Sequence, residues 1–214
     1  SKGEFQQAEV SYLKYKHKFH FTPFCIDTQF WSKKEEKRNR SQILFVGNDG
    51  RRVYELVVEI ADSLPQYDFI FITSNINKEQ IKSRNVKLFK GHWNKQILSD
   101  QEMKDIYAKS ALSIIPIHNS YQPSGQSVAL QSMSMGVPVA ITQTDGFWDK
   151  ELFSDSTNIF FVDKNILSIW TQSIIKIMSD LKLHEKISSE AIKTIEEHYT
   201  SELFSMNLFN ILEI

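Results

Sequence analysis

The sequence predicts an α/β fold, a parallel sheet of about six strands with helices on both faces, and three observations predict it. From about residue 42 onward, short runs that are almost wholly apolar alternate with stretches whose apolar residues recur at helical spacing. The apolar runs do not alternate with polar residues, so they match strands buried on both sides rather than half-exposed ones. Glycine or proline closes several segments, where a chain must turn between strand and helix. Strands spaced by helices in this order give right-handed crossovers and a doubly wound, Rossmann-like sheet.

Ile43-Leu44-Phe45-Val46 reads as the first strand, ending at Gly47. Val53, Leu56, Val57, Ile60, Ala61 and Leu64 then form one helical stripe that stops at Pro65. Phe69 to Thr73 is a second strand, and Val86 to Phe89 a shorter third closed by Lys90-Gly91. Met103, Ile106 and Tyr107 mark a helix before the strand Ala111 to Pro116. A helix follows from Gln126 to Met135, closed by Gly136, then the strand Val137 to Thr142, a loop around Gly146 and the strand Asn158 to Val162. The remainder is helical: one face carries Leu167, Trp170, Ile174, Ile177, Met178 and Leu181, and two further helices cover about Lys186 to His198 and Glu202 to Leu212. Three units result: residues 1–31 as a tail and linker, 32–199 as the sheet domain, and 200–214 as a closing helix.

In a doubly wound sheet, ligands bind beyond the carboxyl ends of the strands. The loops after Val46, Phe89, Pro116 and Thr142 are therefore where chemistry is expected. Composition narrows the ligand. The formal charge is -1, so no global field attracts nucleic acid, and local basic residues must carry any phosphate chemistry. Single Cys25 excludes an internal disulfide and suits a reducing, cytoplasmic compartment. No run reaches the ~18 apolar residues of a spanning helix. The mixed-sign run from Lys33 to Arg38 reads as a solvated connector. The six histidines have no metal-ligand spacing, so no metal and no resident cofactor is expected. Neither a GxGxxG after Val46 nor a GxxxxGK[ST] is present, which argues against a nicotinamide site and a P-loop.

The segment richest in chemistry runs from Gln122 to Val139, QPSGQSVALQSMSMGVPV. It is a glycine-containing loop after a strand, then a helix, a glycine stop and a buried strand. Gly125 allows close backbone approach, Ser124 or Ser127 can cap the helix, and the free amides and positive dipole end make an anion site. Gln131 lies one turn after Ser127 and presents an amide near it. The bland reading is that Ser and Gly merely cap a helix.

This segment resembles the donor-site signature of glycosyltransferase family 4 and its GT-B relatives. Gln131-Ser132-Met133-Ser134-Met135-Gly136-Val137-Pro138-Val139 is similar to the second half of that signature, Glu-Ala-Met-Ala-x-Gly-x-Pro-Val. Phe24-Cys25-Ile26-Asp27-Thr28-Gln29-Phe30 resembles the family's interdomain linker, Val86 to Gly91 its V-x-F-x-G block, Ile106 to Ala111 its L-Y-x-x-A-D helix, and Thr144-Asp145-Gly146 its glycine loop. Together the blocks cover about residues 20–199 in the family's order.

The resemblance implies the carboxy-terminal, donor-binding half of a retaining transferase acting in polysaccharide or glycoconjugate synthesis. Its donor would be a nucleoside diphosphate sugar and its acceptor a glycan or lipid-linked sugar. Its amino-terminal half would lie outside this chain, and any contact with a membrane surface would run through that half. The chain alone is expected to bind donor weakly and turn over nothing. Diphosphate contacts are implied for Gly47, Arg51, Arg52, Ser124, Gly125, Gln126 and Ser127, ribose and sugar contacts for Gln122 and Gln131, and base contacts for Gly91, His92 and Trp93. An arginine fork suits paired phosphate oxygens, and of the two arginines Arg52 aligns better with the family's basic position.

Both acidic positions of the family's Glu-x7-Glu pair are neutral here. Gln131 replaces the second, and Pro123, beside Gln122, falls at the first. Gln131 can still accept a ribose hydroxyl through its carbonyl. No catalytic residue is assigned, and a non-catalytic nucleotide-sugar binder is the alternative function. A sugar-nucleotide epimerase of the same fold is a third, disfavoured because no set of catalytic carboxylates and histidine is found. Phe147 and Trp148 read as core. By resemblance, the apolar stripe Leu203, Phe204, Leu208 and Leu212 crosses back to the missing half; the plain alternative is that it closes this domain.

Overall fold

The computed structural model describes residues 1–32, 39–91 and 97–212. The connector at Lys33 to Arg38 and the base-loop residues His92 and Trp93 lie outside the described residues. The sheet has six strands, all parallel: β1 (Gln42–Val46), β2 (Asp68–Ile72), β3 (Val86–Phe89), β4 (Leu112–Ile115), β5 (Val139–Thr142) and β6 (Phe160–Val162). Their spatial order is β3-β2-β1-β4-β5-β6. The chain winds outward from β1 to β3 and returns to place β4 on the other side of β1. The loops after β1 and β4 therefore part in opposite directions and open a crevice between them.

Seven α-helices are present among the described residues: α1 (Lys2–Ser11), α2 (Tyr54–Ser63), α3 (Asp100–Lys109), α4 (Gln126–Ser134), α5 (Leu167–Ser179), α6 (Leu181–His198) and α7 (Ser201–Leu212). Leu181, expected on the apolar face of α5, instead opens α6 and is exposed, because Asp180 ends α5 and caps the next helix through the Leu183 amide. Alternate strand residues feed two different cores. Ile43, Phe45, Leu112, Ile114 and Ala140 meet Leu56, Val57, Ile60 and Ala61 of α2 and Trp170, Ile174 and Ile177 of α5. On the opposite face Leu44 meets Tyr107 and Ala108 of α3. Ile115, Val139 and Ile141 meet Val128, Leu130 and Met133 of α4. With both faces covered, no strand position between Ile43 and Phe45 is free to be polar, which is why these runs are continuously apolar. Each such side chain contributes about 1.5–3 kcal/mol by burial, enough to fix the helices against the sheet.

The tail before the linker begins with a helix, α1. Ser1 caps it, with its hydroxyl accepting from the Glu4 amide in a full capping box. No residue of α1 is buried, so there was no apolar stripe in the sequence to find. Instead Lys2 ties it to the loop after β5 through Asp149 (3.1 Å) and Glu151 (2.9 Å). The linker meets the far end of the chain: Ile26 donates to the Tyr199 carbonyl at 3.0 Å and bridges to Thr200. Helix α7 also has no buried residue; Leu203 and Phe204 are half-buried, while Leu208 and Leu212 are exposed. No helix among the described residues is long and apolar enough to cross a membrane.

Candidate anion cradle at the crevice between β1 and β4

The centre of the crevice is Arg52, only 4% exposed. Its position is dictated by backbone. Val53 donates to the Pro116 carbonyl (3.1 Å) and His118 to the Arg51 carbonyl (2.8 Å), so Arg52 bridges antiparallel to Ile117. The end of β4 is itself pinned, since Ile117 donates to the Thr142 hydroxyl and its carbonyl accepts from Asn165. The Arg52 side chain runs back across Gly47, with Nε 3.4 Å from the Val46 carbonyl. Its Nη1 donates to Ser124 Oγ at 2.6 Å and pairs with Asp49 Oδ2 at 3.1 Å. Burial pulls the guanidinium below its usual pKa, and the Asp49 carboxylate opposes that shift.

Ser124 does not cap α4, contrary to the sequence reading, and Ser127 is an exposed residue in its first turn. The N-cap is Gly125, with no side-chain cap. The hydroxyl of Ser124 is drawn off to Arg52 and to Asp49, whose two carboxylate oxygens are each 3.3 Å away. The first amides of α4 thus remain without intrahelical or capping partners, and the positive helix end faces the guanidinium's side of the crevice. Gly125 has φ 77°, a left-handed turn that swings the chain from the loop into the helix. A Cβ there would lie 2.6 Å from Ile115 Cγ2. The glycine is therefore fixed by the fold itself, with ligand approach a consequence.

Three loops frame the cradle. The loop after β1 is braced by Tyr54, whose hydroxyl donates to the Asp49 carbonyl at 2.6 Å and accepts from Asn75. The loop after β4 is held to it by Arg51, which donates to the Gln122 carbonyl oxygen, and to the loop after β5 by paired bonds between Asn119 and Asp145. Gly146, unlike Gly125, does not have a positive φ. Its role is instead close approach: its amide donates to Ser120 at 2.8 Å, and a Cβ would overlap the Ser120 and Tyr121 backbone.

Sequence reasoning brought Gly47, Arg51, Arg52, Gln122, Ser124 and Gly125 to one place, and the structure does assemble them there. Gln126 points elsewhere in part: it lines a cleft of about 260 Å³ with Phe21, Phe24, Trp148 and Asp149. Gln131 is one helical turn deeper. Its carbonyl oxygen accepts from the Tyr107 hydroxyl at 3.3 Å, which occupies one of its two lone pairs and fixes the amide. Tyr107 is fully buried, and burial raises its phenol far above the usual range, so it remains a donor. Gly91 sits at the β3 end, held to the β1 loop by Asn48, which donates to its carbonyl at 3.0 Å. Asn48 also accepts from Ser74, stitching the three strand-end loops together. Phe147 and Trp148 are core, 5% and 2% exposed and stacked.

The sequence reading missed Asp49, Tyr54, Tyr107 and Asn48 as site residues. Asp49 carried a readable signal, an acid three residues before an arginine in a strand-end turn. The others did not: Tyr54 and Tyr107 read as helix residues and Asn48 as an ordinary polar turn residue. Among the described residues no three His, Cys, Asp or Glu side chains converge to hold a metal ion.

No protein-family profile matches the chain, and no curated protein matches it in sequence. Solved structures do match in shape. A glycosyltransferase from Rickettsia africae superposes with TM-score 0.76 at 16% identity over 99% of this chain and 62% of its own. The Anabaena protein HepE, in complex with UDP and glucose, gives TM-score 0.73 at 14% identity, with 97% of this chain and 61% of its own covered. The C-terminal domain of a group 1 glycosyl transferase, LpcC from Francisella tularensis, gives 0.65 at 16% identity, with 82% of this chain and 99% of that domain. This chain thus spans about three fifths of the two larger proteins and has the fold of the carboxy-terminal half of a GT-B glycosyltransferase.

Proposed function

We propose that the chain is the nucleotide-sugar-binding half of a retaining glycosyltransferase, acting on a glycan or lipid-linked acceptor held mainly by a second domain. The observation that carries this is the buried Arg52 beside Ser124 and the open amino end of α4, at the sheet's switch point. Such a cradle binds a diphosphate and favours the charge that grows on it as the sugar leaves. Arg51, across the mouth, supplies a second cation once it exchanges Gln122 for phosphate. Gln131, oriented by Tyr107, is positioned for the ribose, and the Gly91 end of the crevice for the base. UDP and glucose in the HepE structure support a nucleotide-sugar donor for this crevice.

Calorimetric titration with UDP, GDP and ADP tests the reading. One of the three binds with a dissociation constant at or below the millimolar range, and loss of all binding contradicts it. A second reading, a non-catalytic donor binder, is favoured by Pro123 and Gln131 at the family's acidic positions. Donor hydrolysis by the longer protein separates the two: binding without turnover of any nucleotide sugar selects the non-catalytic reading.

A further inference from the structure

The diphosphate reading leaves one group without a role: a carboxylate inside a cradle suited to anions. Asp49 Oδ2 lies 3.1 Å from the buried guanidinium, and both its oxygens lie 3.3 Å from the hydroxyl of Ser124. Its Oδ1 also accepts from the Arg51 amide at 2.9 Å. These are the kinds of donors a phosphate oxygen would use there. Yet Asp49 is not locked in. Its side chain is 45% exposed, and the next residue is Gly50, where a Cβ would meet nothing within 4 Å. The loop backbone is held independently of the carboxylate, by Tyr54 on the Asp49 carbonyl.

We propose that Asp49 is a built-in occupant of the cradle, a carboxylate that holds the place of a phosphate and that a nucleotide's diphosphate must displace. The inference rests on the donor-site reading above. Two negative groups within 4–6 Å repel in a poorly solvated site, so carboxylate and diphosphate do not share Arg52. In the empty protein Asp49 neutralises a cation that burial would otherwise leave without a counter-charge. When the diphosphate enters, the carboxylate rotates about the Asp49 Cα–Cβ bond into solvent, while Tyr54 keeps the backbone in place. When the nucleoside diphosphate product leaves, its return to Arg52 assists release. Asp49 thereby sets the affinity of the site at a value below that of the bare cradle.

The sign of the effect distinguishes this from a supporting role. Asp49→Asn and Asp49→Ser both keep an acceptor for the Arg51 amide while removing the charge. Each is measured against the unaltered chain by calorimetry with UDP and with inorganic pyrophosphate. Loss of the competing carboxylate tightens both ligands by about tenfold, the weight of one charge-assisted contact. Equal or weaker binding by the two variants overturns the proposal. Failure of the unaltered chain and both variants to bind UDP, GDP, ADP or pyrophosphate overturns the donor-site reading, and this inference with it. A measurement on the unaltered chain needs no variant to fold: saturating pyrophosphate shifts the Asp49 carboxyl ¹³C resonance, by NMR, toward the value of a free, water-exposed aspartate carboxylate. An unmoved resonance at saturation contradicts displacement.

Discussion

Replacing Arg52 with alanine separates the binding role of this side chain from its structural one. Arg52 is 4% exposed, and its guanidinium makes its strongest contacts to Ser124 at 2.6 Å and Asp49 at 3.1 Å, with a long one to the Val46 carbonyl at 3.4 Å. On the stability side these contacts oppose the cost of burying a charge, and the variant loses both together. Ser124 retains Asp49 as a partner, and Asp49 reaches water, so neither is stranded. The net change in unfolding free energy is within about 2 kcal/mol of zero. On the binding side a hydrogen bond to a charged group contributes about 1.5–3 kcal/mol, so UDP affinity falls by roughly 10- to 150-fold. Arg52→Lys keeps the charge, loses the fork, and falls in between. Urea unfolding gives the first quantity and calorimetry the second. A folded Arg52→Ala protein whose UDP affinity is unchanged within about twofold refutes the assignment of Arg52 to the diphosphate.

Other perturbations probe the frame. Gly125→Ala places a side chain at φ 77°, costing about 1–2 kcal/mol in backbone energy, with further strain against Ile115; an unchanged urea midpoint would show that the loop relaxes freely. Gly146→Ala forces the loops after β4 and β5 apart, so amide exchange across 118–124 accelerates, and unaltered exchange there contradicts the close approach. Tyr107 and Tyr199 are both held neutral, with burial raising each phenol above its unfolded value near 10. The stability they contribute is complete below about pH 10 and declines as pH rises above it, by up to about 1.4 kcal/mol per pH unit for each group. Tyr107→Phe removes its share of that slope in urea melts at pH 8 and pH 10.5; an equal slope in the variant contradicts it.

The sheet was legible because burial on both faces leaves an unmistakable trace, as Ile43 to Val46 and Phe69 to Ile72 show. Strand order was not written in any single run: right-handed crossovers restrict it, but only the fold shows that the chain reverses between β3 and β4. The cradle was half legible. Gly125 and Arg52 stand out by type and place, and the structure puts Arg52 Nη1 3.5 Å from where a Gly125 Cβ would be. What Ser124 bonds to was hidden, because a serine before a helix reads as a cap and only the fold brings Arg52 within reach. Tyr107 was hidden for a different reason. Its ring belongs to the core beside Trp31, and only its hydroxyl, at the end of that ring, touches Gln131. Helix α1 left no apolar stripe, because ion pairs at Lys2 hold it, and only the Ser1-x-x-Glu4 capping pattern marked its start.

The central claim is that a nucleoside diphosphate sits in the crevice between β1 and β4, with its phosphates on Arg52 and the amino end of α4. A ¹H–¹⁵N NMR titration with UDP, GDP and ADP tests it most directly. The account predicts that at least one nucleotide shifts the amides of Gly47, Arg51, Arg52, Gly125 and Gln126, together with the Arg52 Nε–H, and leaves α1 and α5 unmoved. Binding that leaves those amides in place, or no perturbation with any of the three at millimolar concentration, contradicts it.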